Sequence, residues 1–378
     1  MIKKKSFIVF LIAIITLLSI NPVTASATGN FNAAEEVTLS KTYVGTLHTK
    51  DDINFYKFTT SKNDSFYKVE LRNTEATDTV GLFLYSDSDL TTQIYGLKAD
   101  QTSVEFDTRK LESNHTYYIV IENYYSFMNA TGNYKLTVNE IKDDVADNFN
   151  KSKSIPLNKK VVYNLDASND VDYFKFKTSS NDSYYNIELS NSGASNYVGL
   201  YLYEEDDLTT GISSIKANVA ESNSIVQKLQ PNRTYYLIVK SPYDWYYPIG
   251  TYKVNIKEIK DDAPESFKKS KQLSLNKKNT FKINVLGDID YFKFKPTKSG
   301  NYNITFANKD CAGYIDAVLF KEDDVTQSIG LIRSTKASKN TTNFKLKANH
   351  TYYIAVNHQS YQYNNAVGEY TLTISYKK

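Results

Sequence analysis

The residues with the clearest chemical potential are acids that return at a fixed interval. Glu140, Asp143, Asp144, Asp170 and Asp172 are followed 118 positions later by Glu258, Asp261, Asp262, Asp288 and Asp290. Calcium takes six to eight oxygen ligands, so a site for it needs several carboxylates converging from loops and strand ends. Each set is a candidate Ca2+ site; the alternative is a group of solvated turn and strand-end acids. Near the N-terminus the matching stretch retains only Asp51, Asp52 and Asn54, because its opening segment falls at Ala25-Ser26. Catalysis has less to work with. There are four histidines, no His-Glu-x-x-His motif and no Gly-x-Ser-x-Gly elbow. His115 and His350 occupy matching positions, but Arg233 stands there in between. A turn residue accounts for that substitution, and no enzyme is expected.

Tyrosine supplies 32 positions, and some of them are placed for recognition. In Tyr117-Tyr118-Ile119-Val120-Ile121, period-two alternation puts Tyr117 with the apolar residues and Tyr118 on the face of Glu122. The same reasoning turns Tyr236 outward beside Lys240 and Tyr353 outward beside Asn357. A tyrosine ring adds contact area at small entropic cost, and its hydroxyl finds polar partners. Three aromatic loops follow: Tyr124, Tyr125 and Phe127; Tyr243, Trp245, Tyr246 and Tyr247; Tyr361 and Tyr363. Their rings either cap the end of a core or meet a ligand, and Trp245 is the leading ligand-binding candidate among them.

The elements that must position these side chains are strands. Asp51-Asp52-Ile53-Asn54-Phe55-Tyr56-Lys57-Phe58 returns at Asn169–Phe176 and Gly287–Phe294; Asn114-His115-Thr116-Tyr117-Tyr118 returns at Asn232–Tyr236 and Asn349–Tyr353. Gly132-Asn133-Tyr134 recurs as Gly250-Thr251-Tyr252 and Gly368-Glu369-Tyr370. A period this long is a whole domain rather than a solenoid unit. Alternation such as Tyr134, Leu136, Val138 against Lys135, Thr137, Asn139, with turn clusters such as Ser61-Lys62-Asn63-Asp64-Ser65, predicts an all-β chain. Three tandem antiparallel β-sandwiches of seven to nine strands are expected, at 28–142, 143–260 and 261–378.

Residues 1–27 read as a secretory signal peptide. Lys3, Lys4 and Lys5 precede an apolar run from Phe7 to Ile20, and Ala25-Ser26-Ala27 offers a cleavage site. That run is shorter than the roughly 20 residues of a spanning helix, and no other is found downstream. A secreted, extracellular protein without a membrane span in its mature chain is therefore expected. Cleavage removes three of the 45 basic residues and none of the 42 acids, leaving no net charge. Nucleic-acid binders carry a basic excess, so nucleic acid is not an expected partner. Cys311 is the single cysteine and is expected to be a small buried side chain in a monomer.

The combination of an acidic opening segment, Asp-x-Asp-Tyr-Phe-Lys-Phe, Leu-Tyr-x-x-x-Asp-Leu-Thr-Thr, Asn-x-Thr-Tyr-Tyr and a closing Gly-x-Tyr strand resembles the bacterial pre-peptidase C-terminal domain. It is similar to the collagen-binding domains of clostridial collagenases, over all three copies. The resemblance implies a jelly-roll-like sandwich, commonly calcium-stabilised, that accompanies a secreted peptidase and in some members grips collagen. It implies calcium between the acidic opening segment and the turn before the Asp-Tyr-Phe strand, although Lys142 and Lys260 stand where family members carry a second glutamate and would repel the ion. It implies collagen contact by Tyr118, Tyr236 and Tyr353, and by Tyr95, which Ser213 and approximately Gly330 replace in the later copies. The chain departs from the family in carrying no peptidase domain. The expected function is a secreted, non-catalytic binding protein for an extracellular polymer such as collagen. The alternatives are a structural or accessory protein, at the cell surface or beside a separately encoded peptidase, and a carbohydrate-binding protein.

Overall fold

A computed structural model describes residues 31–243, 245, 247–358 and 367–377. The leader expected at 1–27 and the loop tyrosines Tyr246, Tyr361 and Tyr363 lie outside the described residues. The chain divides into two compact units, Met1–Asp143 and Asp144–Lys378. The first unit carries the first repeat and the second carries the other two.

The strands of the first repeat are β1 (Glu35–Glu36), β2 (Thr42–Leu47), β3 (Ile53–Thr59), β4 (Ser65–Asn73), β5 (Val80–Ser86), β6 (Tyr95–Ala99), β7 (Val104–Lys110), β8 (Thr116–Asn123) and β9 (Gly132–Lys142). They form a five-stranded sheet in the order β1-β3-β8-β5-β6 and a four-stranded sheet in the order β2-β9-β4-β7. Both orders recur unchanged in the second and third repeats. The pairing is antiparallel apart from the two-residue edge strand, which runs parallel to β3 through Glu35↔Tyr56 and Glu36↔Lys57. The fold is all-β, as the alternation requires.

Each pair of sheets encloses its own core because the central strands turn one apolar face inward. In the first repeat Phe58, Val69, Leu82, Ile119 and Leu136 meet in the interior; in the third, Phe294, Ile304, Leu319, Ile354 and Leu372 do so. Cys311 is buried in the third core, and burial pushes its thiol up to about 12. The first tyrosine of each Tyr-Tyr pair joins the core. Tyr117, Tyr235 and Tyr352 each stack on a phenylalanine of the neighbouring strand with ring centroids 5.8 Å apart. Their hydroxyls accept backbone N–H bonds from Glu112, Gln230 and Lys347 at 2.9–3.0 Å, so these buried polar atoms are satisfied.

Two motif residues are explained by backbone geometry. Asn114, Asn232 and Asn349 adopt φ of 54°, 58° and 64°, the left-handed region that asparagine tolerates better than other side-chain-bearing residues. Asn232→Ala is expected to cost about 1 kcal/mol through this strain, read as a lower urea midpoint at unchanged slope. Gly250 has φ of 127°, and a Cβ there would lie 2.4 Å from the Gly193 carbonyl oxygen. The glycine opening each last strand lets it pass close to the loop that joins the fourth and fifth strands of its repeat.

Candidate functional site

The final strand of each repeat delivers a fully buried tyrosine to the second position of the Asp-x-Asp motif. Tyr252 donates its hydroxyl to Asp172, and Tyr370 donates to Asp290. Burial first, and then the facing carboxylate, raises both phenols well above their ordinary range. In the first repeat Asn54 Nδ2 donates to the Tyr134 hydroxyl at 2.7 Å, and the Tyr56 hydroxyl lies 2.9 Å from the same atom. The first repeat thus builds from an amide and two phenols what the others build around a carboxylate.

In the third repeat the sequence-predicted acids converge. Asp261, Asp288 and Asp290 place one oxygen each within 4.8 Å of one another, with Asp288 and Asp290 buried. Burial is the main reason the carboxyls of Asp288 and Asp290 are raised above the usual range, and neighbouring carboxylates add to it. Asp262 accepts from the Lys282 backbone N–H at 2.9 Å, and burial pushes it up to about 6. The Oδ1 atoms of Asp262 and Asp290 are buried without a hydrogen-bond partner. Such oxygens need either protons or a hard cation. The donor set fits calcium in kind, and backbone oxygens and water would have to complete its coordination.

The cation nearest this group is not the one the sequence indicated. Lys260 is exposed at the end of its strand. Lys228 instead meets Asp261 at 2.7 Å and Asp182 at 3.1 Å, with its ammonium 4.2 Å from the Tyr184 ring centroid. Tyr184 in turn donates to Asp288 Oδ1 at 3.2 Å. The equivalent Lys110 meets Asp143 at 2.6 Å and Asp64 at 3.2 Å. Sequence reasoning missed these lysines because nothing local to the acids marks them; only their shared spacing of 118 residues could have.

Glu140 and Glu258 do not join the acidic group. Glu140 accepts from Ser61 Oγ at 2.6 Å and Ser65 Oγ at 2.8 Å, and Glu258 accepts from Ser179 and Ser183 at the same distances. Strand alternation aims these glutamates at the turn clusters, so sequence adjacency to the aspartates does not become spatial adjacency. In the second repeat Asp144 accepts from the Asn164 backbone N–H at 3.0 Å, Asp170 accepts from that of Asp166, and Asp172 is held by Tyr252.

The outward tyrosines sit where alternation predicts, but they are not bare. Phe31, Phe149 and Phe267, each opening a single-turn helix, pack edge-on against Tyr118, Tyr236 and Tyr353 at 5.2, 5.4 and 5.4 Å. The same phenylalanines also meet Phe55 and Tyr85, Tyr173 and Tyr203, or Tyr291 and Phe320. Each repeat therefore carries a four-ring cluster on its outer face, with its tyrosine half-buried. Asn148 and Ser266 cap two of the short helices by accepting from Lys151 and Lys269. The recurrence of phenylalanine at this spacing was the signal available in the sequence.

Tyr95 corrects the sequence reading more directly. It is only 9% exposed, its hydroxyl is buried without a partner, and the Arg109 guanidinium covers its ring at 4.8 Å. β6 turns it inward against the core, so it offers no surface contact. Trp245, by contrast, is 70% exposed and stacks on Tyr243 with centroids 5.6 Å apart. In the first repeat the corresponding loop stacks Tyr124 on Phe83 and leaves Phe127 67% exposed.

No protein-family model matches the chain, and no curated protein matches it. Among solved structures, the pre-peptidase C-terminal domain of collagenase from Bacillus anthracis is similar over 28% of this chain and 94% of its own, at 22% identity and a TM-score of 0.23. The PBSX exported protein XepA is similar over 58% of this chain and 88% of its own, at 10% identity and a TM-score of 0.21. Tripeptidyl peptidase 2 is similar over 85% of this chain and 33% of its own, at 9% identity and a TM-score of 0.24.

Proposed function

We propose that this chain is a secreted, non-catalytic attachment protein whose three repeats bind an extracellular polymer, with a collagen-type protein as the ligand class. The observation that carries this reading is the outer-face cluster of four rings, built at the same place in every repeat around Tyr118, Tyr236 and Tyr353. A half-exposed tyrosine packed on the phenylalanine at the hub of a four-ring cluster is a rigid, partly apolar contact. Tandem copies convert weak contacts into firm retention through effective concentration. The resemblance carried by the Asn-x-Thr-Tyr-Tyr motif makes collagen the first polymer to test. Calcium at Asp261, Asp288 and Asp290 belongs to the same proposal as a structural ion of the third repeat.

Retention of residues 28–378 on fibrillar collagen, gelatin and an insoluble polysaccharide, with calcium or a chelator, tests the reading. Selective retention on fibrillar collagen is expected. Replacing Tyr118, Tyr236 and Tyr353 together by alanine should weaken it about tenfold or more, with melting temperature checking the fold and the triple phenylalanine variant keeping the ring packing. Unchanged retention in the alanine variant overturns the site. The cover given by Phe31, Phe149 and Phe267 favours a second reading, in which the rings are structural and the protein is an accessory at the cell surface or beside a separate peptidase. Absence of retention on all three polymers selects it.

A further inference from the structure

One cross-strand row on the outer face of the five-stranded sheet differs in charge among the repeats. In the second repeat Gly199 pairs with Lys216 on one side and Lys240 on the other. The first repeat has Lys98 and Glu122 flanking Gly81, so only one of its two groups is a cation, and burial pushes the Glu122 carboxyl up to about 7. In the third, Arg333 and Asn357 flank Asp316. There the Arg333 guanidinium forks onto buried Asp316, with both bonds at 2.8 Å, and its charge is matched. Only the row of the second repeat carries two cations. Among the described residues neither Lys216 nor Lys240 has a carboxylate within ion-pair distance, and both are exposed.

These ammonium groups lean on aromatic rings instead. Lys216 donates to the Tyr243 hydroxyl and lies 4.8 Å from the centroid of that ring and 5.7 Å from that of Tyr197. Lys240 lies 5.4 Å from the Tyr201 ring. A Cβ on Gly199 would meet Tyr201 at 3.1 Å and Pro242 at 3.2 Å, so a Tyr–Pro ridge fills the space between the lysines. Two strand spacings put the lysine backbones about 10 Å apart. Tyr243 carries the stacked Trp245 at the edge of this surface.

We propose that this face of the second repeat, formed by Lys216, Lys240, Tyr201, Tyr243 and Trp245, binds an acidic polysaccharide. A uronate-bearing chain brings carboxylates at intervals that two separated ammonium groups can meet, while the C–H faces of its sugars pack on rings and its hydroxyls reach phenols. Cation–π support holds the ammonium groups in place without neutralising them. A single-stranded polynucleotide shares stacking and negative charge, but its binding grows from a broad basic track. Among the described residues this row presents two separated lysines rather than a broad basic track, and the sequence as a whole is close to charge balance with 45 basic and 42 acidic residues, which favours the glycan.

The test is affinity electrophoresis of residues 28–378 through gels containing polygalacturonate, neutral dextran or single-stranded DNA, at low and high salt. Retardation by polygalacturonate alone, weakened by salt, is expected. The double variant Lys216→Gln/Lys240→Gln should lose about tenfold in affinity, Trp245→Ala should also weaken binding, and Lys98→Gln in the first repeat should change nothing. Unaltered melting temperatures would show that the variants fold. The proposal is overturned by absence of retardation, by equal retardation in the double-lysine variant, or by DNA binding as firm as polygalacturonate binding. Collagen retention keeps the two ligand readings apart: collagen binding by the wild type with no retardation by polygalacturonate removes this inference alone, whereas a double-lysine variant that loses polygalacturonate and keeps collagen supports it.

Discussion

The third repeat of the metal-free protein should melt at a higher temperature at pH 5 than at pH 8, and calcium should abolish the difference. Asp288 and Asp290 are raised above the carboxylate range mainly by burial, and Asp262 is pushed up to about 6. In the unfolded chain these groups titrate near pH 4. The folded state therefore holds protons that the unfolded state has already released. Their contribution to stability is complete below about pH 4 and is lost as pH rises through the higher folded values. A shift of about 5 °C or more is expected for a unit of this size. A cation bound by the same oxygens replaces those protons, so stabilisation by millimolar calcium should grow from pH 5 to pH 8. Asp290→Asn should flatten the pH profile and weaken the calcium response, since the first repeat already satisfies its buried tyrosine with the amide of Asn54. Scanning calorimetry of residues 28–378 reads both effects. A profile that stays flat in the wild type, or an equal calcium response in Asp290→Asn, would sink the assignment.

Gly250→Ala should cost about 3 kcal/mol or more, whereas Gly287→Ala should cost only about 1 kcal/mol. Both glycines have positive φ, 127° and 86°. The backbone penalty is therefore shared, and the difference is steric. A Cβ at Gly250 would meet the Gly193 carbonyl oxygen at 2.4 Å and the Ala194 Cα at 3.0 Å, both backbone atoms that cannot rotate away. At Gly287 nothing lies within 4 Å. Urea unfolding of the two variants measures the contrast. Equal losses would mean that the loop at Gly193 and Ala194 yields freely and that close packing there is not what selects glycine.

The acids and aromatics named from the sequence separate into two groups by how far their partners lie along the chain. Alternation placed Tyr118, Tyr236 and Tyr353 on the outer face, because strand periodicity is a local property of two neighbouring residues. It did not show that Phe31, Phe149 and Phe267 cover them, since that contact joins segments 86 to 87 residues apart. Tyr95 was misread for the same reason. Its orientation follows from β6 pairing with β5 and from Arg109 on β7 crossing its ring. The Asp-x-Asp motif identified Asp288 and Asp290, but Glu258 left the group once its strand aimed it at Ser179 and Ser183.

The sequence by itself determined the all-β class, the 118-residue repeat, and the acids and rings that each repeat carries, because two-residue alternation and recurrence are written along one dimension. The tertiary structure decided which carboxylates share a space, which lysine faces them, and which tyrosines remain exposed. Gly45 shows why. A Cβ there would lie 2.3 Å from the Tyr134 ring, while Tyr163 and Phe281 occupy its place in the other repeats, where the buried tyrosine faces a carboxylate. Strand pairing brings residue 45 to residue 134, and packing across that distance follows from the closure of the sandwich rather than from any local pattern.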